Sequence, residues 1–143
     1  MSPSSRCPID CAIRARRTVT GLLAMIWDRV QTQATAKLEV AAAQEPLLIG
    51  DLILLEVLQG ARHEAHAARI ERGLRQYVIV PLLGADLAPR VARNYRTLRD
   101  LGVTIRKTAD LIIGTFCIQH DHRLLHDDRD FSLMEQHLGL TVL

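Results

Sequence analysis

The sequence predicts an α/β fold, and two observations lead to it. Short apolar runs that read as buried strands alternate with longer stretches of helical spacing. Within Arg106–Phe131, acidic residues stand where a helix begins and where a strand ends. In an α/β sheet, ligands sit outside the carboxyl ends of the strands. Asp128 and Asp130 fall at such an end, and Asp110 can face them.

A chain of 143 residues is read as one domain, spanning 1–143 and long enough to bury a real core. Its hydrophobic content is 48% with only 3% aromatic, so that core is built from Leu, Ile, Val and Ala. A net charge of +2 does not by itself point to nucleic acid, so local charge must carry that argument. Cys7, Cys11 and Cys117 form an odd, sparse set, which favours reduced thiols and a cytoplasmic setting over a disulfide framework. No apolar run approaches the ~20 residues of a membrane helix, so no membrane partner is expected. Val19–Trp27, behind Arg14, Arg16 and Arg17, has the outline of a signal peptide with Ala34-Thr35-Ala36 as its cleavage form. Asp28 and Arg29 interrupt it, which argues against secretion.

Taken in order, residues 1–17 are basic and pattern-poor, with Asp10 the one acid, and the opening is expected to fray. Gly21–Trp27 is an apolar run too short for periodicity to decide between strand and helix. Thr35–Ala43 reads as a helix, broken at Glu45-Pro46. Leu47-Leu48-Ile49 is a buried strand, and Gly50-Asp51 turns it into a helix over Leu52–Gln59 that stops at Gly60. Glu56 is surrounded in that helix by apolar neighbours, which predicts a buried helix. An ionised Glu there needs a partner or a metal, unless it merely reaches solvent at a helix edge.

Residues 62–76 form an amphipathic helix with Ala65, Ala68, Ile70 and Leu74 inward, and with His63 and His66 on a solvated face. Tyr77–Leu82 is the next strand. Asp86–Asp100 is a helix in which Arg90, Arg93, Arg96 and Arg99 recur at every third position. With Arg106 and Lys107, that basic strip can hold phosphates or can simply be solvated. Thr108 is the expected N-cap of the next helix, with Asp110 in its first turn and Ile112, Ile113, Phe116 and Cys117 as its apolar stripe. Arg123–His126 is a short strand, Ser132–His137 a short helix, and Gly139–Leu143 the last strand.

Clustered carboxylates repel unless a cation neutralises them. Asp110, Asp128 and Asp130 therefore point to a hard-metal site of the Mg²⁺ or Mn²⁺ kind, or more simply to a capped helix and a polar turn. A zinc site from Cys117, His120, His122 and His126 has suitable ligand types. Its geometry is poor, because Cys117 lies along an apolar stripe. No P-loop, G-x-G-x-x-G or G-x-S-x-G occurs.

Two stretches together resemble a known family. Gly50–Gly60, GDLILLEVLQG, is similar to the acid-bearing segment of PIN-domain ribonucleases of the VapC toxin type. Arg106-Lys107-Thr108-Ala109-Asp110, then Ile118, His120 and Leu124–Phe131, resembles their C-terminal motif. The likeness covers residues 34–143 and leaves 1–33 atypical. It implies a three-layer α/β/α sandwich with a mostly parallel sheet that gathers carboxylates around Mg²⁺ or Mn²⁺. It also implies cleavage of RNA by metal-assisted hydrolysis, a homodimer and a cognate antitoxin. Carried over by position, Glu56, Asp110 and Asp128 match the catalytic and metal-site acids, Asp130 a supporting metal-site acid, and Thr108 a polar residue that helps hold the site. One part departs: the family's first strand ends in an Asp whose spacing falls near Thr18, where no acid stands. Asp10 lies behind a poor strand that contains Pro8, and Asp28 follows the apolar run. A PIN-like protein that binds an antitoxin or RNA without cutting is the alternative this departure raises.

Overall fold

The computed structural model describes residues 18–20, 40, 43, 47–126 and 128–143. Among them are strands β1 (Thr18–Thr20), β2 (Leu47–Gly50), β3 (Val78–Val80), β4 (Arg123–Leu125) and β5 (Thr141–Val142). They form one sheet in the order β3-β2-β1-β4-β5, and every neighbouring pair is parallel. The helices are α1 (Asp51–Gln59), α2 (Glu64–Leu74), α3 (Ala88–Asp100), α4 (Thr108–Gln119) and α5 (Arg129–Leu138).

Helices α1 and α2 pack on each other, while α4 packs against both α3 and α5. Strand order runs one way from β1 to β3 and the other way from β4 to β5. Right-handed crossovers then place the two helix groups on opposite faces of the sheet, which is the three-layer sandwich expected. The reversal lies between β1 and β4. Crevices outside the carboxyl ends of strands at such a reversal are where α/β proteins bind ligands.

Strand β2 is buried along its whole length, as a Leu-Leu-Ile run with helices on both sides must be. Asp51 then ties the strand-to-helix corner, because its Oδ1 accepts the Leu82 N–H at 3.2 Å. Helix α1 is not the buried helix that its composition predicts. Only Ile53 and Val57 are buried, Leu55 is 51% exposed, and Glu56 faces solvent. The helix that is apolar on every side and enclosed on every side is α4, buried continuously from Asp110 to Cys117.

In α2, Ile70 and Leu74 are buried but Ala65 and Ala68, expected inward, are exposed, so the inward face is narrower than its pattern predicts. His63 and His66 also do more than face water. The His63 Nδ1 accepts the His66 N–H at 3.1 Å, and the His66 Nδ1 accepts the Arg62 N–H at 3.1 Å. That reciprocal pair closes the first turn with imidazoles in the way a capping box does with hydroxyl and carboxylate. Arg90, Arg93, Arg96 and Arg99 are all exposed on α3, whose buried residues are Val91 and Leu98. Of the expected Thr35–Ala43 helix, Val40 and Ala43 are helical; its other residues, like Gly21–Trp27, lie outside the described set.

Two glycines set the geometry of α5, Gly114 opposite it and Gly139 at its end. A Cβ on Gly114 would come within 2.6 Å of the Met134 Sδ, so the Met134 thioether of α5 rests on α4 at the one position there without a side chain. Gly139 ends α5 in the left-handed region, at φ 76°, and turns the chain into β5.

Candidate metal centre

Helix α4 starts one residue earlier than its hydroxyl suggests. Lys107 is the N-cap, and Thr108 is the first helical residue with no capping bond from its side chain. The cap role assigned to Thr108 is thereby corrected, and Asp110 stays in the first turn. Burial of this turn takes Asp110 with it, to 6% exposure. Its Oδ2 is buried without a hydrogen-bond partner.

Helix α5 begins at Arg129 rather than Ser132, because Asp128 caps it. The Asp128 Oδ1 accepts the Asp130 N–H at 2.9 Å, and the Asp128 N–H donates to the His126 Nδ1 at 3.1 Å. Asp130 is buried, and its Oδ2 accepts the Arg106 N–H at 3.2 Å, which ties the loop before α4 to the start of α5. The capping and bridging bonds are the features that motif reading missed. The signal for the cap was present, since an Asp directly before a helical run is a common N-terminus.

These anchors bring three carboxylates together. One oxygen from each of Asp110, Asp128 and Asp130 lies within 4.8 Å of the others. Glu56 is outside that group but close enough for its charge to act on Asp110. Burial pushes the Asp110 carboxyl up from 3.8 to about 6. The Asp128 charge adds to this, Lys107 opposes it, and Glu56 and Asp130 add smaller increments. A buried carboxylate oxygen without a donor, facing two more carboxylates, is costly for the free protein. An all-oxygen donor set of this kind fits a hard divalent cation, which would neutralise the repulsion. Its ligand atoms would come from Asp110, Asp128 and Asp130, with Glu56 outside the group but acting on Asp110 through its charge.

The zinc alternative finds no support. Among the described residues, the only convergent group of His, Cys, Asp or Glu is the three aspartates. Cys117 is fully buried, and that burial raises its thiol pKa.

Strand β1 is the central strand; Thr18 pairs with Leu47 and Arg123, and Thr20 pairs with Leu125. Thr18 is thus at the amino-terminal end of β1, level with the first residue of β4. The end nearer the aspartates is Thr20. The position expected near Thr18 falls on this strand, and Thr20, two residues on, is its residue level with the last residue of β4. Asp10 and Asp28 lie outside the described residues.

A parallel α/β/α sheet that collects acids outside its central strands defines the class, and residues 22–136 match the PIN domain family, to which this chain belongs. The match begins just beyond β1. Within that family the chain is similar to VapC ribonuclease Mb1587 of Mycobacterium bovis and to ribonuclease VapC11 of Mycobacterium tuberculosis. It is 30% identical to each over 93 residues, which cover 63% of this chain and 67% of theirs. Its fold is similar to that in the crystal structure of VapBC2 from Rickettsia felis bound to a promoter DNA fragment. There the TM-score is 0.71 at 15% identity, covering 90% of this chain and 98% of that one. The structure of VapBC-1 from nontypeable Haemophilus influenzae matches with a TM-score of 0.68 at 14% identity, covering 90% and 97%.

Proposed function

We propose that this chain is a Mg²⁺- or Mn²⁺-dependent ribonuclease, the toxin of a type II toxin–antitoxin pair that works in the cytoplasm. The observation that carries the reading is the buried, unpartnered Asp110 oxygen within 4.8 Å of carboxylate oxygens of Asp128 and Asp130. Similarity to VapC ribonucleases supports RNA as the substrate. The VapBC neighbours support an antitoxin partner. A homodimer is proposed from the family resemblance.

In this reading Asp110, Asp128 and Asp130 are the inner acids, and Glu56 contributes from the exposed face of α1. A bound divalent cation supplies Lewis acidity toward a phosphodiester and toward water. The protein contributes placement. The Asp128 cap and the Asp130–Arg106 bond hold two carboxylates in fixed orientation, and burial of Asp110 keeps competing donors away. Lys107, close enough to lower the Asp110 pKa, favours the ionised carboxylate that a cation requires.

The test is cleavage of a total RNA preparation with Mn²⁺, with and without EDTA, by the parent and by Asp110→Asn. Cleavage that needs the metal and disappears in the variant supports the proposal. A parent chain that binds RNA or antitoxin but cuts no RNA supports the binding-only alternative, for which β1, Thr-Val-Thr, supplies no acid. Equal cleavage by both proteins would leave Asp110 as a helix-terminus acid only.

A further inference from the structure

Beside the aspartates a cleft of about 630 Å³ opens between the loop after α3 and the start of α5. Gly102–Thr104 form part of one wall; Asp128 and Asp130 lie at its acidic edge, and Arg106, Lys107 and Arg129 line it as cations. We infer that this cleft seats a backbone phosphate of single-stranded RNA adjacent to the phosphate being cleaved, with Arg106 and Arg129 as its positioning residues. The inference rests on the ribonuclease reading above.

Three observations support it. First, the cations are held off the acids they adjoin: among the described residues, no side chain of Arg106, Lys107 or Arg129 forms an ion pair. Cations placed to cancel the aspartate charges would pair with them; of the three, only Lys107 acts on Asp110, which leaves Arg106 and Arg129 for another anion. Second, their placement is fixed relative to the acids. The Arg106 N–H is bonded to Asp130, and Arg129 stands in the chain between the capping Asp128 and Asp130. Third, the cleft opens onto the carboxylates themselves, since Asp128 and Asp130 belong both to its lining and to the convergent group. A phosphodiester chain approaching three acids is repelled by them. Neutralising one phosphate at the acids while cations take the next lets the strand lie across both. Its volume is within the roughly 300–1,000 Å³ of clefts that enclose small ligands, enough for a nucleotide.

The test compares the parent, Arg106→Ala/Arg129→Ala, the doubly conservative Arg106→Lys/Arg129→Lys, and Arg69→Ala as a cation elsewhere on the surface. Two readouts are taken: KM and kcat for Mn²⁺-dependent RNA cleavage, and the salt dependence of binding to a single-stranded RNA oligonucleotide in EDTA. The double alanine variant is expected to raise KM about tenfold with kcat little changed. Loss of the one phosphate that the pair neutralises should also reduce the slope of log K against log salt by about 0.7. The lysine pair should retain most of the slope, and Arg69→Ala should match the parent. A double alanine variant with the parent's KM and slope, or one that loses kcat alone, overturns the inference. A parent that cuts no RNA refutes the ribonuclease reading instead, and the EDTA binding series still decides whether the cleft holds RNA phosphate.

Discussion

Asp128 caps the helix that carries Asp130, its Oδ1 accepting the Asp130 N–H at 2.9 Å. One acid therefore orients the other through the backbone, and its structural role can be separated from its charge. Asp128→Asn keeps a capping oxygen and removes the charge, so it should fold with near-parent stability and bind Mn²⁺ more weakly. Asp128→Ala should in addition lose about 1 kcal/mol of stability, read from urea unfolding without metal. Equal stability of the two variants would show that the cap contributes nothing.

The Asp110 carboxyl predicts a pH dependence. Its pKa is raised from 3.8 to about 6, first by burial and then by the Asp128 charge. The folded protein thus holds this proton more tightly than the unfolded chain does. The associated stability is full below about pH 3.8 and is lost as pH rises through about 6, roughly 3 kcal/mol at most. Relative to Asp110→Asn, the metal-free parent should therefore lose melting temperature across that window. Mn²⁺ should restore it at the upper end, because the cation and the proton compete for one carboxylate. Parallel melting curves for parent and variant from pH 4 to 7 would count against this assignment.

Gly114 is the point where α4 meets Met134 of α5. Adding Cβ and two methyls in Gly114→Val displaces the Met134 side chain packed there, at a cost of about 1–3 kcal/mol. Because α4 carries Asp110 and α5 carries Asp130, Mn²⁺ affinity should fall together with stability. Retained affinity in a destabilised variant would mean that the acid cluster does not depend on this contact.

The register of β1 makes a prediction about the missing acid. Thr20 is level with the last residue of β4, and Thr18 with the first. Thr20→Asp should thus tighten Mn²⁺ binding, measured calorimetrically, while Thr18→Asp should change it little. The opposite ranking would place the active edge at the other end of the strand. Loss of cleavage in Asp10→Ala would instead show that the N-terminal segment supplies the ligand.

Much of this protein is determined by local pattern alone. The runs Leu47-Leu48-Ile49 and Arg123-Leu124-Leu125 could bury themselves only as strands in a covered sheet. Asp110, Asp128 and Asp130 stand at a helix start and a strand end by pattern alone. What pattern could not supply was environment. Glu56 sits in a more apolar run than Asp110 does, yet Glu56 is exposed and Asp110 is buried. Whether a helix is enclosed depends on how many neighbours cover it. Helix α1 packs against α2 and the β2–β3 side of the sheet, whereas α4 is covered by α3, α5 and β4. Thr108 likewise looked like a cap, but the helix start was set by Lys107 and by the loop bonded to Asp130. The convergence of three carboxylates within 4.8 Å is a tertiary fact. It comes from the Asp128 cap, the Asp130–Arg106 bond and the strand reversal at β1 and β4, none of which leaves a periodic trace in the chain.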